Sequence, residues 1–254
     1  MIRSTVAWLR FSAVIASMAI MVLAVLIIYP FSKSFVRQQV RMIWTRCLIA
    51  STGAKLYFHG YPLSDQDMKN SMVVANHISW MDTVVMYRTC FVQFIGKIEM
   101  LQWPILNRVI QAGGTIFINR KNKKELINVN QHVAQLLREG ASIGLFPEGK
   151  TSVGKEVLPF KAPLLEAARM ASSKIFPVVL SYRKENNRLA REVSFAKVGW
   201  MKTVMNTLHL QGLTIDVTVL PPVAAADFAD RELLANYLHQ QISEYYKQQQ
   251  IKQG

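Results

Sequence analysis

Acidic residues are missing from the first quarter of the chain. Of 254 residues, 16 are Asp or Glu, and none precedes Asp65. Residues 1–64 hold seven Lys or Arg, which is half of the formal net charge of +14. An even basic excess would point to nucleic acid. A basic excess gathered around the most apolar run points instead to a membrane surface, and no nucleic-acid partner is expected. Cysteine is also scarce. Cys47 and Cys90 stand alone, which excludes a disulfide framework or a zinc site and leaves two reduced thiols on the cytoplasmic side. Twelve Gly and nine Pro exclude collagen-like and low-complexity chains, and neither an internal repeat nor a linker is visible. Apolar residues make up 51% and aromatics 10%, enough to fill a core and to exclude disorder of the whole chain.

Residues 11–32 contain no charge. As a helix rising ~1.5 Å per residue they reach roughly 30 Å, enough to cross a bilayer. A cleaved signal peptide would have a shorter apolar region and a small-residue cleavage site. Here Tyr29-Pro30-Phe31 and then basic residues follow, as at a membrane interface. Arg3 and Arg10 before the run, and Lys33, Arg37, Arg41 and Arg46 after it, favour a main domain on the cytoplasmic side. Residues 34–52 form a second helical candidate, basic on one side and apolar on the other through Val40, Ile43, Trp44, Cys47 and Leu48. A bend at Tyr29-Pro30 would allow either a full span or a re-entrant hairpin in one leaflet.

Beyond this anchor, short apolar runs alternate with amphipathic stretches. Strands are predicted at 72–75, 91–95, 115–119, 142–146, 175–181, 192–198 and 213–220. Helices are predicted at 79–88, 121–138, 162–171 and 230–248, the last with Asp227 and Asp230 as cap candidates. The alternation predicts an α/β fold, a mixed sheet flanked by helices, behind an N-terminal membrane-embedded helical segment. The division is residues 1–60 for the anchoring helices and 61–254 for the α/β domain.

Four segments could carry chemistry. His77, in Asn76-His77-Ile78-Ser79-Trp80-Met81-Asp82, suits general-base work. A carboxylate on its other nitrogen would fix the tautomer. Five residues along a helix are about 140° off-axis, so His77 meets Asp82 only from a loop, with Asp82 in the first helical turn. Ser79-x-x-Asp82 is also a capping-box pattern, in which Asp82 merely caps. The second segment, Gly144-x4-Gly149-Lys150-Thr151, has the letters of a phosphate-binding P-loop. Its physics is wrong: Pro147 removes a backbone N–H, Glu148 brings a carboxylate to the anion site, and Ser152-Val153-Gly154 reads as a turn where a helix should begin. Asp216 could imitate the metal-binding carboxylate of such a site. The third segment runs from Gly113-Gly114 to Arg120, whose guanidinium suits phosphate or carboxylate. The fourth is the apolar strand around Pro177. His59, His132, His209 and His239 have no partner pattern.

In this order the four segments resemble the glycerolipid acyltransferase family, best known from bacterial 1-acylglycerol-3-phosphate acyltransferases. Asn76, His77 and Asp82 match its Asn-His-x4-Asp block. Gly114, Phe117, Ile118 and Arg120 match the second block, and Phe146, Pro147, Glu148, Gly149 and Ser152 the third. Pro177 matches the fourth. Gly96-Lys97, Glu99 and Trp103-Pro104 resemble the connecting region. Two places depart from the pattern. Lys150-Thr151 stands where Thr-Arg is usual, and Ala162-Pro163 where glycine is frequent. The stretch from Glu148 to Lys161 is similar to the branch that acylates lyso-ornithine lipids.

The resemblance implies an O-acyltransferase of phospholipid biosynthesis. A fatty acyl group would pass from acyl-CoA or acyl carrier protein, as co-substrate, to the free hydroxyl of a lysophospholipid. Lysophosphatidate giving phosphatidic acid is the first candidate, and a lyso-ornithine lipid or other lysolipid the alternative. His77 would be the base and Asp82 its orienting partner. Arg120, Glu148, Gly149, Lys150, Thr151 and Ser152 would meet the acceptor. No further cofactor or metal is implied. The partners are the membrane, its lipid acceptor and the thioester donor. The setting is a bacterial inner membrane with the catalytic domain on the cytoplasmic side.

Overall fold

The computed structural model describes residues 2–64, 66–90, 92–103, 106–119, 123–196 and 198–251. The chain opens with helix α1 (Ile2–Leu23), prolonged by a π-helical turn Ala24–Ile28 and a 3-10 turn Tyr29–Phe31. Pro30 lies in that last turn, Ser32 is extended, and α2 (Ser34–Ser51) follows. Pro lacks the N–H that a continuing helix needs, so the chain reverses where the sequence predicts a bend. The Trp44 indole N–H donates to the Ser17 carbonyl at 3.1 Å, and the Tyr29 hydroxyl to the Arg37 carbonyl at 3.2 Å. These two contacts set α2 antiparallel against α1.

Next come β1 (Lys55–Gly60), β2 (Ser71–Ala75), α3 (Asp82–Thr89), β3 (Gln93–Lys97), α4 (Leu106–Ala112), β4 (Ile116–Ile118), α5 (Lys123–Arg138) and β5 (Ser142–Leu145). Then follow α6 (Glu166–Met170), β6 (Lys174–Arg183), α7 (Trp200–His209), β7 (Thr214–Val219), β8 (Val223–Ala224) and α8 (Arg231–Ile251). The sheet runs β1-β7-β6-β2-β5-β3-β4, with β8 also on β6. Among the described strands β6 pairs antiparallel with β7 and with β8; the other pairs are parallel. The mixed α/β architecture expected from the alternation is therefore present.

Central strands of a parallel sheet are covered on both faces and read as unbroken apolar runs. This fits β2, buried along its whole length, and β6, buried from Ile175 to Tyr182. The helix α5 turns Val129, Val133 and Leu137 inward at helical spacing. Asp230 caps α8 by accepting from the Leu233 N–H at 2.7 Å.

Two expectations are corrected, and α7 and β1, like the short α4 and β8, stand where no element is predicted. Among the described residues of 192–198 there is no strand: Arg191–Val193 forms a 3-10 turn, and Ser194 makes an isolated bridge to Ser79. Its alternation serves a loop that crosses the site. Residues 162–171 divide into a 3-10 turn at Pro163–Leu165 and the short α6, because Pro163 starts the turn. Helix α7 is unpredicted: Thr203, Val204, Thr207 and Leu208 are buried at helical spacing, but Thr and Val carry low helix propensity. Strand β1 is also unpredicted, being an exposed edge strand without a core-like run. It pairs with β7 throughout, so the sheet begins inside the segment 1–60.

Candidate active site

Chain direction assembles the site. Strands β2, β3, β4 and β5 are mutually parallel, so the loops leaving them open on one edge. The chain crosses from β5 to β6 on the far side of β2. Ligands of open α/β sheets bind at the carboxyl ends of strands, at such a reversal of strand order. His77 sits two residues beyond β2, and 146–152 directly follows β5.

Asn76 pins the end of β2. Its side-chain amide donates to the Leu180 carbonyl at 2.9 Å and accepts the Leu180 N–H at 2.7 Å. The chain then leaves the sheet with His77 in the loop and Asp82 as the first residue of α3, the one arrangement in which the two can meet. The His77 Nδ1 lies 2.7 Å from Asp82 Oδ2. The same oxygen accepts the backbone N–H of Ile78 at 2.6 Å and of Ser79 at 2.8 Å. Capping and orienting, alternatives in the sequence, are one and the same here: the carboxylate that closes the α3 turn also holds the imidazole. Asp82 is fully buried, while the His77 side chain is 20% exposed. Its ring stacks on Phe146 at 4.3 Å between centroids and meets the edge of Phe195 at 6.3 Å. With Nδ1 engaged, Nε2 has no hydrogen-bond partner among the described residues.

The 146–152 loop locks against the His77 loop. Glu148, 1% exposed, accepts the His77 N–H at 2.7 Å with Oε1 and the Leu158 N–H at 3.2 Å with Oε2. Burial pushes its carboxyl up to about 8, against the pull of these two N–H groups, and the Asp82 charge adds to the rise. Ser152 donates its N–H to the His77 carbonyl at 2.7 Å, and its hydroxyl accepts the Gly154 N–H at 3.1 Å. The Ser194 hydroxyl donates to the Ser152 carbonyl at 2.6 Å. Expected at the acceptor, Glu148 and Ser152 thus make the wall of the site, and Thr151 is buried beside them. Gly149 turns the loop with φ of 71°, a conformation in which a side chain is strained. Lys150 is exposed next to it. Arg120 lies outside the described residues; β4 ends at Ile118, on the same edge of the sheet.

The P-loop letters have other causes. Gly144 is a strand residue, and a Cβ there would come within 2.7 Å of the Phe94 ring. No helix follows Lys150 until beyond the Pro163 turn. Asp216 accepts from the Arg183 guanidinium at 2.7 Å and lies 3.0 Å from the His59 ring. Among the described residues no group of three or more His, Cys, Asp or Glu could hold a metal ion.

Two site residues escape the sequence motifs. Phe195 covers the His77 ring from the loop mistaken for a strand. Tyr182, on β6, donates its hydroxyl to Asp82 Oδ1 at 2.5 Å. Its only sequence signal is a polar tip on an otherwise apolar strand.

The acyltransferase family profile matches residues 58–181, which span the His77 loop, the 146–152 loop and most of β6. A 1-acyl-sn-glycerol-3-phosphate acyltransferase of Neisseria gonorrhoeae is 34% identical over 171 residues, covering 67% of each chain. The chain belongs to the acyltransferase family. A lyso-ornithine lipid O-acyltransferase of Brucella abortus is 30% identical over 184 residues, covering 67% of this chain and 69% of that one. The fold is that of the acyltransferase PlsC of Thermotoga maritima, a 1-acyl-sn-glycerophosphate acyltransferase. Its crystal structure superposes with a TM-score of 0.71 over 96% of this chain and 94% of the other, at 18% identity.

Proposed function

We propose that this acyltransferase moves a fatty acyl group from acyl-CoA or acyl carrier protein to the free hydroxyl of a lysophospholipid, with 1-acylglycerol 3-phosphate as acceptor and phosphatidic acid as product. The observation that carries this reading is the pairing of a partly exposed His77 with a fully buried Asp82. The names of the relatives supply the substrate class. As the acceptor oxygen attacks the thioester carbonyl, its proton passes to His77 Nε2. Collapse of the tetrahedral adduct breaks the carbon–sulfur bond, and the proton passes from His77 to the departing thiolate. Asp82 keeps the Nδ1–H tautomer and balances the imidazolium. Such a base contributes about 10²–10⁴-fold. Lys150 and Arg120 meet the anionic head group.

One observation favours a lyso-ornithine lipid as the alternative acceptor. Thr151 is 7% exposed and turned into the protein, so this position offers no cation to a phosphate. The deciding experiment presents purified protein with one thioester donor and, separately, lysophosphatidate and lyso-ornithine lipid, with His77→Ala as control. Transfer to either acceptor that vanishes in the variant supports the reading. Transfer that persists in His77→Ala would sink it.

The membrane contact is part of the proposal. The segment Ser4–Phe31 is long and apolar enough to cross a bilayer, its most apolar 18-residue stretch having mean hydropathy 2.8. A re-entrant hairpin is the better-supported mode. Trp44 lies against Ser17, and the stretch from Ser17 to Phe31 extends about 20 Å at 1.5 Å per residue, short of a ~30 Å hydrocarbon core. Ile20, Leu23, Ile27, Ile28 and Phe31 are exposed along it. The α/β domain would sit on the cytoplasmic face of a bacterial inner membrane, its acceptor delivered from the leaflet it rests on.

A further inference from the structure

The two oxygens of Asp82 are used unequally. Oδ2 takes three donors from its own neighbourhood: His77 Nδ1, Ile78 N–H and Ser79 N–H. Among the described residues Oδ1 takes one, the Tyr182 hydroxyl, from a strand a hundred positions later. Tyr182 is 2% exposed, and the Ser79 side chain lies beside its hydroxyl and eases its ionisation. Burial and the adjacent Asp82 charge push the Tyr182 hydroxyl well above its ordinary range. The group therefore stays protonated and acts toward Asp82 only as a donor.

We propose that Tyr182 is a positioning residue for acyl transfer: its hydroxyl fixes and disperses the charge of Asp82, which in turn holds the His77 ring with Nε2 toward the acceptor. This inference rests on the function proposed above. The local donors fix Oδ2, but they all belong to one loop and move with it. Tyr182 belongs to β6, which is hydrogen-bonded to β2 and β7. It is the group that ties the carboxylate to the sheet rather than to the loop. The separate bond of Asn76 to Leu180 places the start of the same loop on the same strand. Both ends of the catalytic turn thereby refer to β6.

The test is Tyr182→Phe, which keeps the ring and removes the hydroxyl. Expected are a kcat at least tenfold lower, KM values for donor and acceptor within twofold of the parent, and an acidic limb of the pH–rate profile moved to higher pH. The sign follows from the chemistry. With one donor fewer, the buried carboxylate is less stabilised in its charged form, and a proton is bound to the dyad more readily. The other titratable groups in electrostatic reach are Glu148 on the facing loop and Tyr246 on α8. Both remain in the variant, so a displaced limb reports the missing hydroxyl. A lower melting temperature with an unmoved limb means that Tyr182 only packs, and overturns the proposal. So does a kcat within twofold of the parent. If Tyr182→Phe does not fold, Ser79→Ala removes the hydroxyl behind the Tyr182 oxygen and should move the limb the same way by less; an unmoved limb there also overturns it. A parent protein that transfers no acyl group overturns the function itself, an outcome distinct from an active parent with an indifferent Tyr182→Phe.

Discussion

Arg10 donates from Nη1 to the backbone carbonyl of Leu210 at 2.7 Å, across two hundred positions of sequence, and to that of Leu208 at 3.0 Å. Leu208 and Leu210 lie at the end of α7, whose last carbonyls lack helical partners and carry the negative end of the helix dipole. The guanidinium also occupies the space beside Gly53, where a Cβ would stand 2.2 Å away. One side chain thus ties α1 to the end of α7 and lies against the turn that follows α2. In the proposed hairpin both ends of the apolar segment lie on one side of the membrane. Epitope tags at the two chain termini are expected to be digested together, from the same face of sealed vesicles. Arg10→Ala should lower stability by about 2 kcal/mol, the scale of hydrogen bonds to a charged group, read as a fall in melting temperature.

The exposed apolar tip should govern membrane residence. A charge at the centre of a bilayer-embedded helix costs about 2.5–3.5 kcal/mol on insertion scales. Ile27→Asp combined with Phe31→Asp is expected to shift the protein from floating vesicles to the soluble fraction. Flotation of the double variant at parental levels would contradict the hairpin.

The His77–Asp82 pair predicts a particular kinetic pattern. Asp82→Asn keeps the shape but loses the charge that balances the imidazolium. It should lower kcat by about 10²-fold or more, as His77→Ala should by 10²–10⁴-fold. KM should stay near the parent value for both. A variant that raised KM alone would show binding where catalysis is assigned.

Glu148 makes stability fall with rising pH. Burial raises its carboxyl to about 8 in the folded chain, from an ordinary 4.5. Between these values the unfolded state releases a proton that the folded state keeps. The stabilisation is complete below pH 4.5 and is lost as pH climbs through 8, at no more than about 1.4 kcal/mol per pH unit. Glu148→Gln carries no such proton. It should start less stable, one backbone N–H being left facing an amide nitrogen, and should lose less stability than the parent from pH 5 to pH 8. Melting temperatures of both proteins across that range give the comparison.

Lys150 is the exposed cation of the 146–152 loop. Removing it should weaken an anionic acceptor without touching the chemistry. Lys150→Ala is expected to raise KM for lysophosphatidate about fivefold to tenfold, near the value of one partly exposed charge contact, with kcat within twofold. Added salt should erase much of the difference.

His77 and Asp82 were legible because their pairing depends on a short spacing, and the loop-to-helix transition that lets them meet is written between them. The apolar N-terminal helix and its turn at Pro30 were legible for a similarly local reason. Glu148 and Ser152 were found as motif letters, but as candidates to touch the substrate. Only the fold shows that their polar atoms go to the His77 and Leu158 backbones and to the turn at Gly154. Strand β1 and helix α7 were missed because one is an exposed edge strand and the other buries Thr203, Val204 and Thr207, poor helix formers. Local pattern is weak in both, and tertiary contact decides.

By itself, then, the sequence determined the class of fold, the basic apolar N-terminal helices, and that His77 can meet Asp82: each is carried by residues close together, where periodicity, spacing and charge act directly. The tertiary structure decided which way the N-terminal helix folds back, what Glu148 holds, and that Tyr182 reaches Asp82. Those facts depend on strand order. Laying β6 beside β2 brings together residues a hundred positions apart, and no local pattern encodes a neighbour that only the sheet supplies.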